Sequence, residues 1–385
     1  MNQETAVQHF IVTTPVLYMA FELSSKKWKL GFSIGLGQKV RIRNIDAGDL
    51  VAAKVEIAKA KKRFGVPGET RVISCYEAGR DGFWLHRFLE SEGIESHIMD
   101  SASIETNRRK RRNKGDGLDA NSLVRILIRY DYGEKKVCSM LRVPTEAEED
   151  RRQLHRELSA LNKERTRTIN RIRGILATQG VRIKGESSLS AGRLDELRQW
   201  NGQPLGTGLK ERLRRECEHL AFIKGQIAHL SKERQQTLKQ EAATSDHPDV
   251  EIMQQLQKLK AIGIVCAWVL TREFFGWRKF KNRRQVGSLA GLVPTRYQSG
   301  ETNVEQGISK AGVVQVRQVA IELAWCWLRY QPRSKITIWY NERFAKSGKK
   351  ARKVGIVAVA RKLLVDLWRY LETGVLPEGA ILKAV

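Results

Sequence analysis

The sequence has little cysteine chemistry. Its five cysteines are scattered at Cys75, Cys138, Cys217, Cys266 and Cys326. None forms a Cys-x-x-Cys pair or a Cys/His cluster, which argues against a zinc site and a disulfide framework and fits a reducing cytoplasm. Long apolar runs are missing too, and no stretch approaches the ~20 residues of a membrane span. Residues 1–14 lack the basic-then-apolar layout of a secretory signal. No long internal repeat is visible. Acids are scarce relative to bases: 42 Asp and Glu face 69 Lys and Arg, a formal net charge of +27. A chain with that imbalance is built to meet a polyanion, nucleic acid first and an anionic membrane surface second.

What is present is a globular composition. Of the 385 residues, 41% are hydrophobic and 29% charged, enough for two or three domains with cores of their own. Residues 16–22 (Val-Leu-Tyr-Met-Ala-Phe-Glu) read as a strand buried on both faces and ending at Glu22. Residues 27–33 alternate as a half-buried strand does, and 38–44 give a third. Residues 48–64 have helical spacing, stopped by Val66-Pro67-Gly68. A fourth strand, 71–77, ends at Glu77; a helix around 83–89 and a fifth strand, 94–99, follow. Three strands in a meander and then alternation match a ribonuclease H-like α/β layout.

A run of Arg108, Arg109, Lys110, Arg111, Arg112 and Lys114 leads into Asp116 and Asp119 and then a helix through Leu123–Ile128. From about 144 to 180, and again over 208–242, long Glu-, Arg- and Leu-rich helical patterns predict an antiparallel coiled coil. Residues 259–265 read as a helix-hairpin-helix. It either offers backbone N–H groups to a phosphate or simply packs two helices. Beyond an apolar segment at 286–296, a polar loop is expected from Gln298 to Gly307, and then a Trp- and Leu-rich helix. The predicted fold class is α/β plus α. Residues 1–143 would form the metal-binding catalytic domain, 144–249 the coiled coil and 250–385 a mainly helical C-terminal domain.

Four carboxylates stand out in so basic a chain: Glu22, Glu77, Asp116 and Asp119. Phosphodiester chemistry with two metal ions needs several carboxylates converging on cations roughly 3.5–4 Å apart. Mg²⁺, or Mn²⁺ in its place, prefers oxygen donors. Adjacent strand ends deliver such donors side by side. Taken singly, each acid has an ordinary alternative. Glu22 and Glu77 could merely start turns, and Asp116 and Asp119 could be helix N-terminal acids that favour the macrodipole. Asp100 is a reserve ligand, and Asp81 belongs to the Gly79–Gly82 turn. The basic run is either a solvated loop or a phosphate contact beside the carboxylates. His86 and His155 read as packing or surface residues.

Several segments resemble the DEDD-type insertion-sequence transposases, relatives of the Piv DNA invertase. They are Tyr18-Met-Ala-Phe-Glu-Leu-Ser, Cys75-Tyr-Glu-Ala-Gly-Arg-Asp-Gly-Phe-Trp-Leu, Asp116-Gly-Leu-Asp-Ala, Leu289-Ala-Gly-Leu-Val-Pro, Gln298-Ser-Gly and Gly307-Ile-Ser-Lys-Ala-Gly. Two departures accompany the match. Glu22 stands where that family usually has Asp, and Lys114-Gly115-Asp116 replaces the usual Lys-Thr-Asp. The resemblance implies a RuvC-like domain, a coiled coil and a C-terminal transposase domain with a nucleophilic serine. It implies cutting and rejoining of double-stranded DNA, at element ends and target, through a covalent serine–DNA intermediate. A structured RNA from the element (a bridge RNA) guides some members. Homodimers assembling to homotetramers would pair one protomer's metal domain with another's serine. The residue it points to is Ser299, with Ser309 second; a turn serine and a helix N-cap are the respective alternatives. Lys310 and Arg317 would touch phosphates, or be ordinary surface cations. The rival activity is a RuvC-like nuclease or junction resolvase that uses water as nucleophile.

Overall fold

The computed structural model describes residues 15–104, 119–183, 185, 191–243, 248–299 and 302–383. It divides into two compact units, Met1–Pro144 and Thr145–Val385. The expected boundary between residues 249 and 250 therefore lies inside the second unit.

The first unit is built on a five-stranded mixed sheet. Its elements run β1 (Val16–Glu22), β2 (Lys27–Ser33), β3 (Arg41–Asp46), α1 (Leu50–Phe64), β4 (Arg71–Glu77), α2 (Trp84–Ser91), β5 (Glu95–Met99) and α3 (Ala120–Asp131). The strand order is β3-β2-β1-β4-β5. β1 is antiparallel to β2 and parallel to β4, and β4 is parallel to β5. The two central strands are the two apolar runs seen in the sequence, and both are buried on both faces. Leu17, Met19 and Phe21 face a core shared with Ala53 and Ile57 of α1 and Leu85 and Leu89 of α2. Tyr18 and Ala20 face the opposite way, into a core with Leu123, Val124 and Leu127 of α3. The sheet is thus a middle layer between helices. α3 lies so close to β2 that a Cβ on Gly31 would stand 2.9 Å from the Ala120 carbonyl oxygen and 3.0 Å from Val124 Cγ2. Glycine at position 31 is what lets the head of α3 settle on the sheet.

The second unit is helical apart from one hairpin, among the described residues. A short α4 (Glu146–Asp150) starts with a capping box in which Thr145 and Glu148 bond each other's backbone N–H. Two long helices follow, α5 (Gln153–Ala177) and α6 (Thr207–Ala243). Ile169, Ile172 and Leu176 of α5 pack with Leu213, Cys217 and Leu220 of α6. Arg171 pairs with Glu216 at 2.9 Å and Glu164 with His219 at 3.1 Å, so the helices run antiparallel.

The remaining elements are α7 (Pro248–Lys258), α8 (Ile264–Leu270), α9 (Arg283–Leu289), β6 (Pro294–Ser299), β7 (Thr302–Ile308), α10 (Val314–Tyr330), α11 (Lys335–Tyr340) and α12 (Lys349–Thr373). Their core gathers Trp268, Phe274, Leu323, Trp327, Leu363 and Leu367. The link from α7 to α8 turns Leu259 and Ile262 fully inward, so the segment read as a helix-hairpin-helix contributes to this core. α8 runs into one wide π-type turn, Thr271–Phe275, whose five residues are all buried.

Candidate active site

Glu22 closes β1 and Glu77 closes β4. The parallel register ends at Phe21 opposite Tyr76, which makes Glu22 and Glu77 the next pair along neighbouring strands. Strand alternation turns both toward the α3 side, where Ala20 and Cys75 already point. Across the antiparallel edge Glu22 lies opposite Lys29, whose Nζ stands 3.1 and 3.3 Å from the two carboxylate oxygens. The backbone N–H of Ala120, the first residue of α3, donates to Glu22 Oε2 at 3.3 Å. Asp119 immediately precedes it and caps α3, its Oδ1 accepting from the Ser122 N–H at 2.7 Å. The helix-capping alternative for Asp119 is therefore realised, and the cap stands beside Glu22.

Asp116 and the basic run Arg108–Arg112 and Lys114 lie outside the described residues. Asp100 follows Met99, the register partner of Glu77, and its N–H donates to the Ser139 carbonyl at 2.9 Å. Asp81 sits in the turn after β4, beside Arg80. Among the described residues no three Asp, Glu, His or Cys side chains come together as a metal cage. The donor chemistry nevertheless fits a hard divalent cation: the donors are oxygens, and Glu22 already holds a positive charge, that of Lys29, across both of its oxygens. Lys29 escaped the sequence reading. Its signal was the alternation of β2, which sets it opposite Glu22.

The second candidate element is the β6–β7 hairpin. Within the segment expected as a polar loop, Gln298 to Gly307, the described residues Gln298–Ser299 and Thr302–Gly307 instead belong to two paired strands. Tyr297 faces Val304, Gln298 faces Asn303 and Ser299 faces Thr302. Tyr, Thr and Val in this stretch favour strand pairing, but Glu, Gln and Asn hide the alternation. Ser299 ends β6.

The root of the hairpin is tightly made. Ser309 N–H donates to the Val293 carbonyl at 2.9 Å, Lys310 N–H to Gly291 at 3.2 Å and Val313 N–H to Leu289 at 2.9 Å. Gly291 and Gly312 both have positive φ, 66° and 86°. A Cβ on Gly291 would meet the Ala311 carbonyl oxygen at 1.9 Å and Arg317 Nη1 at 2.4 Å, and one on Gly312 the Leu289 carbonyl oxygen at 2.1 Å. Ser309 is exposed and does not cap α10; Val313 occupies that position. Lys310 is exposed with φ 56°. Arg317 is half-buried, and its Nη1 donates to the carbonyls of Ala290 and Ala311, each at 3.4 Å.

His155 is neither a plain packing residue nor a surface one. It is buried, with Nε2 2.8 Å from Glu273 Oε1. Arg156 grips the same carboxylate, its Nε 2.6 Å from Oε1 and its Nη2 2.9 Å from Oε2. Burial alone would raise the Glu273 pKa; the hydrogen bonds from His155 and Arg156 outweigh it and hold the group down to about 2. The neighbouring Arg272 is also buried and bonds Asp249 and Glu241, the latter at 2.6 Å. His86, half-buried on α2, has its pKa lowered by burial.

Residues 253–337, from α7 into α11, match the transposase IS116/IS110/IS902 family. Over 379 residues the chain is 44% identical to a putative transposase, y4rJ, of Sinorhizobium fredii (strain NBRC 101917 / NGR234), spanning 95% of this chain and 94% of that protein. The chain belongs to the IS116/IS110/IS902 transposase family. More distant relatives of this transposase include those of insertion sequence elements IS1328 of Yersinia enterocolitica and IS1111A of Coxiella burnetii (strain RSA 493 / Nine Mile phase I). The first is 25% identical over 260 residues, 66% of this chain and 71% of that protein. The second is 25% identical over 301 residues, 76% of this chain and 75% of that protein. The family match encloses the hairpin and its root but not the sheet. The strand-end carboxylates of the transposase fall instead within the longer similarity to y4rJ. No helix among the described residues is long and apolar enough to cross a membrane.

Proposed function

We propose that this transposase cuts and rejoins the DNA strands of an insertion sequence through a covalent bond to Ser299. The supporting observation is the meeting of Glu22, Glu77 and the Asp119-capped head of α3 at one end of a mixed sheet, in a chain that belongs to a transposase family. Strand order 3-2-1-4-5 with helices on both faces supports a RuvC-like, ribonuclease H-like domain.

In this reading Ser299 Oγ attacks a backbone phosphorus, and a DNA hydroxyl leaves. The serine–phosphate ester then passes to the hydroxyl of another strand, which restores the serine. One phosphoester replaces another at each step, so no external energy source is consumed. Glu22, Glu77, Asp116 and Asp119 would hold Mg²⁺ or Mn²⁺. A bound divalent cation supplies Lewis-acid stabilisation of phosphate charge. The charge of +27 supports binding to double-stranded DNA and to a structured guide RNA, with the steep salt dependence of counterion release. Homodimers assembling to tetramers, with metal and serine sites from different protomers, complete the proposal.

The test incubates purified protein with Mg²⁺ and labelled DNA from the flanks of its own gene, with and without RNA transcribed from those flanks. Denaturing gels are then probed for protein bound covalently to DNA. An adduct that vanishes in Ser299→Ala is the expected result, and its dependence on RNA reads out the guide. Cleavage without an adduct would overturn the serine step in favour of a metal-dependent nuclease that uses water.

A further inference from the structure

Arg317 is positioned to do something other than hold a phosphate. Its Nη1 occupies the space where a side chain of Gly291 would begin, 2.4 Å from the ideal Cβ position. From there it donates to Ala290 on one side of the hairpin root and to Ala311 on the other. Those two carbonyls belong to the two chain segments that enter β6 and leave β7. Three backbone bonds join the same segments, and the paired glycines bring their backbones into contact. α10, which carries Arg317, is anchored in the core through Val316, Ala320 and Leu323. Arg317 is thus the side-chain link between a fixed helix and the two ends of the hairpin.

The mechanical consequence depends on distance. Ser299 lies five residues beyond Pro294, roughly 17 Å along an extended strand. A tilt of about 10° at the root would move the tip by roughly 3 Å, and misplacements of ~1 Å can cost about 10²-fold in rate. We propose that Arg317 is a positioning residue: it latches the root of the β6–β7 hairpin and thereby sets where Ser299 is presented to the strand it attacks. This rests on Ser299 being the nucleophile, as proposed above.

The experiment compares Arg317→Met and Arg317→Lys with the wild-type protein in three readouts. Without DNA, amide hydrogen exchange at Ser309, Lys310 and Val313 reads the latch. Equilibrium binding of flank DNA across a salt series reads phosphate contact. Single-turnover formation of the covalent adduct at saturating DNA reads presentation of the serine. Both variants are expected to exchange faster at the root amides, to form adduct roughly 10–100-fold more slowly, and to keep the wild-type affinity and salt slope. Lysine fails with methionine because its Nζ ends one bond short of the place from which Arg317 Nη1 reaches both carbonyls. If lysine restores the rate while methionine loses affinity and about one unit of salt slope, Arg317 is a phosphate contact and the proposal falls. Unchanged exchange at the root in Arg317→Met overturns the latch. Failure of the serine reading is separate: the wild type would then give no adduct, or Ser299→Ala would keep it, while the exchange comparison still reports on the latch.

Discussion

The sheet end of the first unit and the hairpin of the second each present a candidate catalytic group, and they hold it by opposite means. Glu22 and Glu77 stand at the ends of strands buried on both faces, with position set by register and by the cap of α3. Ser299 ends a two-stranded hairpin whose order comes from its root and from the helical core behind α10. The first arrangement needs apolar strands in register, the Asp119 cap and a glycine at position 31 under the head of α3. The second rests on two glycines with positive φ at the hairpin root and on the apolar core that anchors α10. A carboxylate site can therefore lose its chemistry without losing its fold, whereas the hairpin is sensitive to changes that never touch the serine.

The largest expected effect tests the first half of that contrast. Glu77→Ala should abolish Mg²⁺-dependent strand cleavage, by at least about 10³-fold, while the thermal unfolding midpoint stays near the wild type. A large drop in stability would show that the strand end is structural.

Acidification should separate the two units. The Glu273 pKa is depressed when folded, so its contribution is present above its ordinary value of 4.5 and lost as pH falls toward about 2. A shift of that size corresponds to about 3 kcal/mol. Below pH 4 the second unit should unfold first in acid titrations followed by hydrogen exchange, and Glu273→Gln should remove that pH dependence.

Gly312→Ala should cost about 2 kcal/mol, because it strains the backbone at φ 86° and drives a methyl into the Leu289 carbonyl. Denaturant melts check it, and root amides should exchange faster. Gly31→Val is the matching probe of the first unit. It should cost about 1–3 kcal/mol by pushing α3 off β2.

The smallest effect belongs to Lys29→Met. A half-exposed ion pair contributes less than about 1 kcal/mol to stability. Divalent-ion binding measured by Mn²⁺ calorimetry should tighten once the ammonium no longer competes for Glu22.

Sequence reading reached the first unit further than the second for a physical reason. Continuous apolar runs such as 16–22 and 71–77 announce strands buried on both faces, and an acid at the end of each announces itself by contrast. Asp119 at a helix start was legible because capping is local. The hairpin was not, since Arg296, Gln298, Asn303, Glu305 and Gln306 break up the apolar alternation of the sequence there. Nor was the Glu273 cluster legible, because His155 and Glu273 are 118 positions apart and only tertiary packing joins them. Ser309 read as a possible cap because its chemistry suits that role, yet the turn at Lys310 moves the helix start four residues on.

The cap of α3 also offers a division of labour between charge and shape. Asp119 Oδ1 accepts from the Ser122 N–H, and an asparagine caps a helix about as well as an aspartate. Asp119→Asn should therefore lower the negative charge at this corner while keeping the cap at the start of α3, beside Glu22.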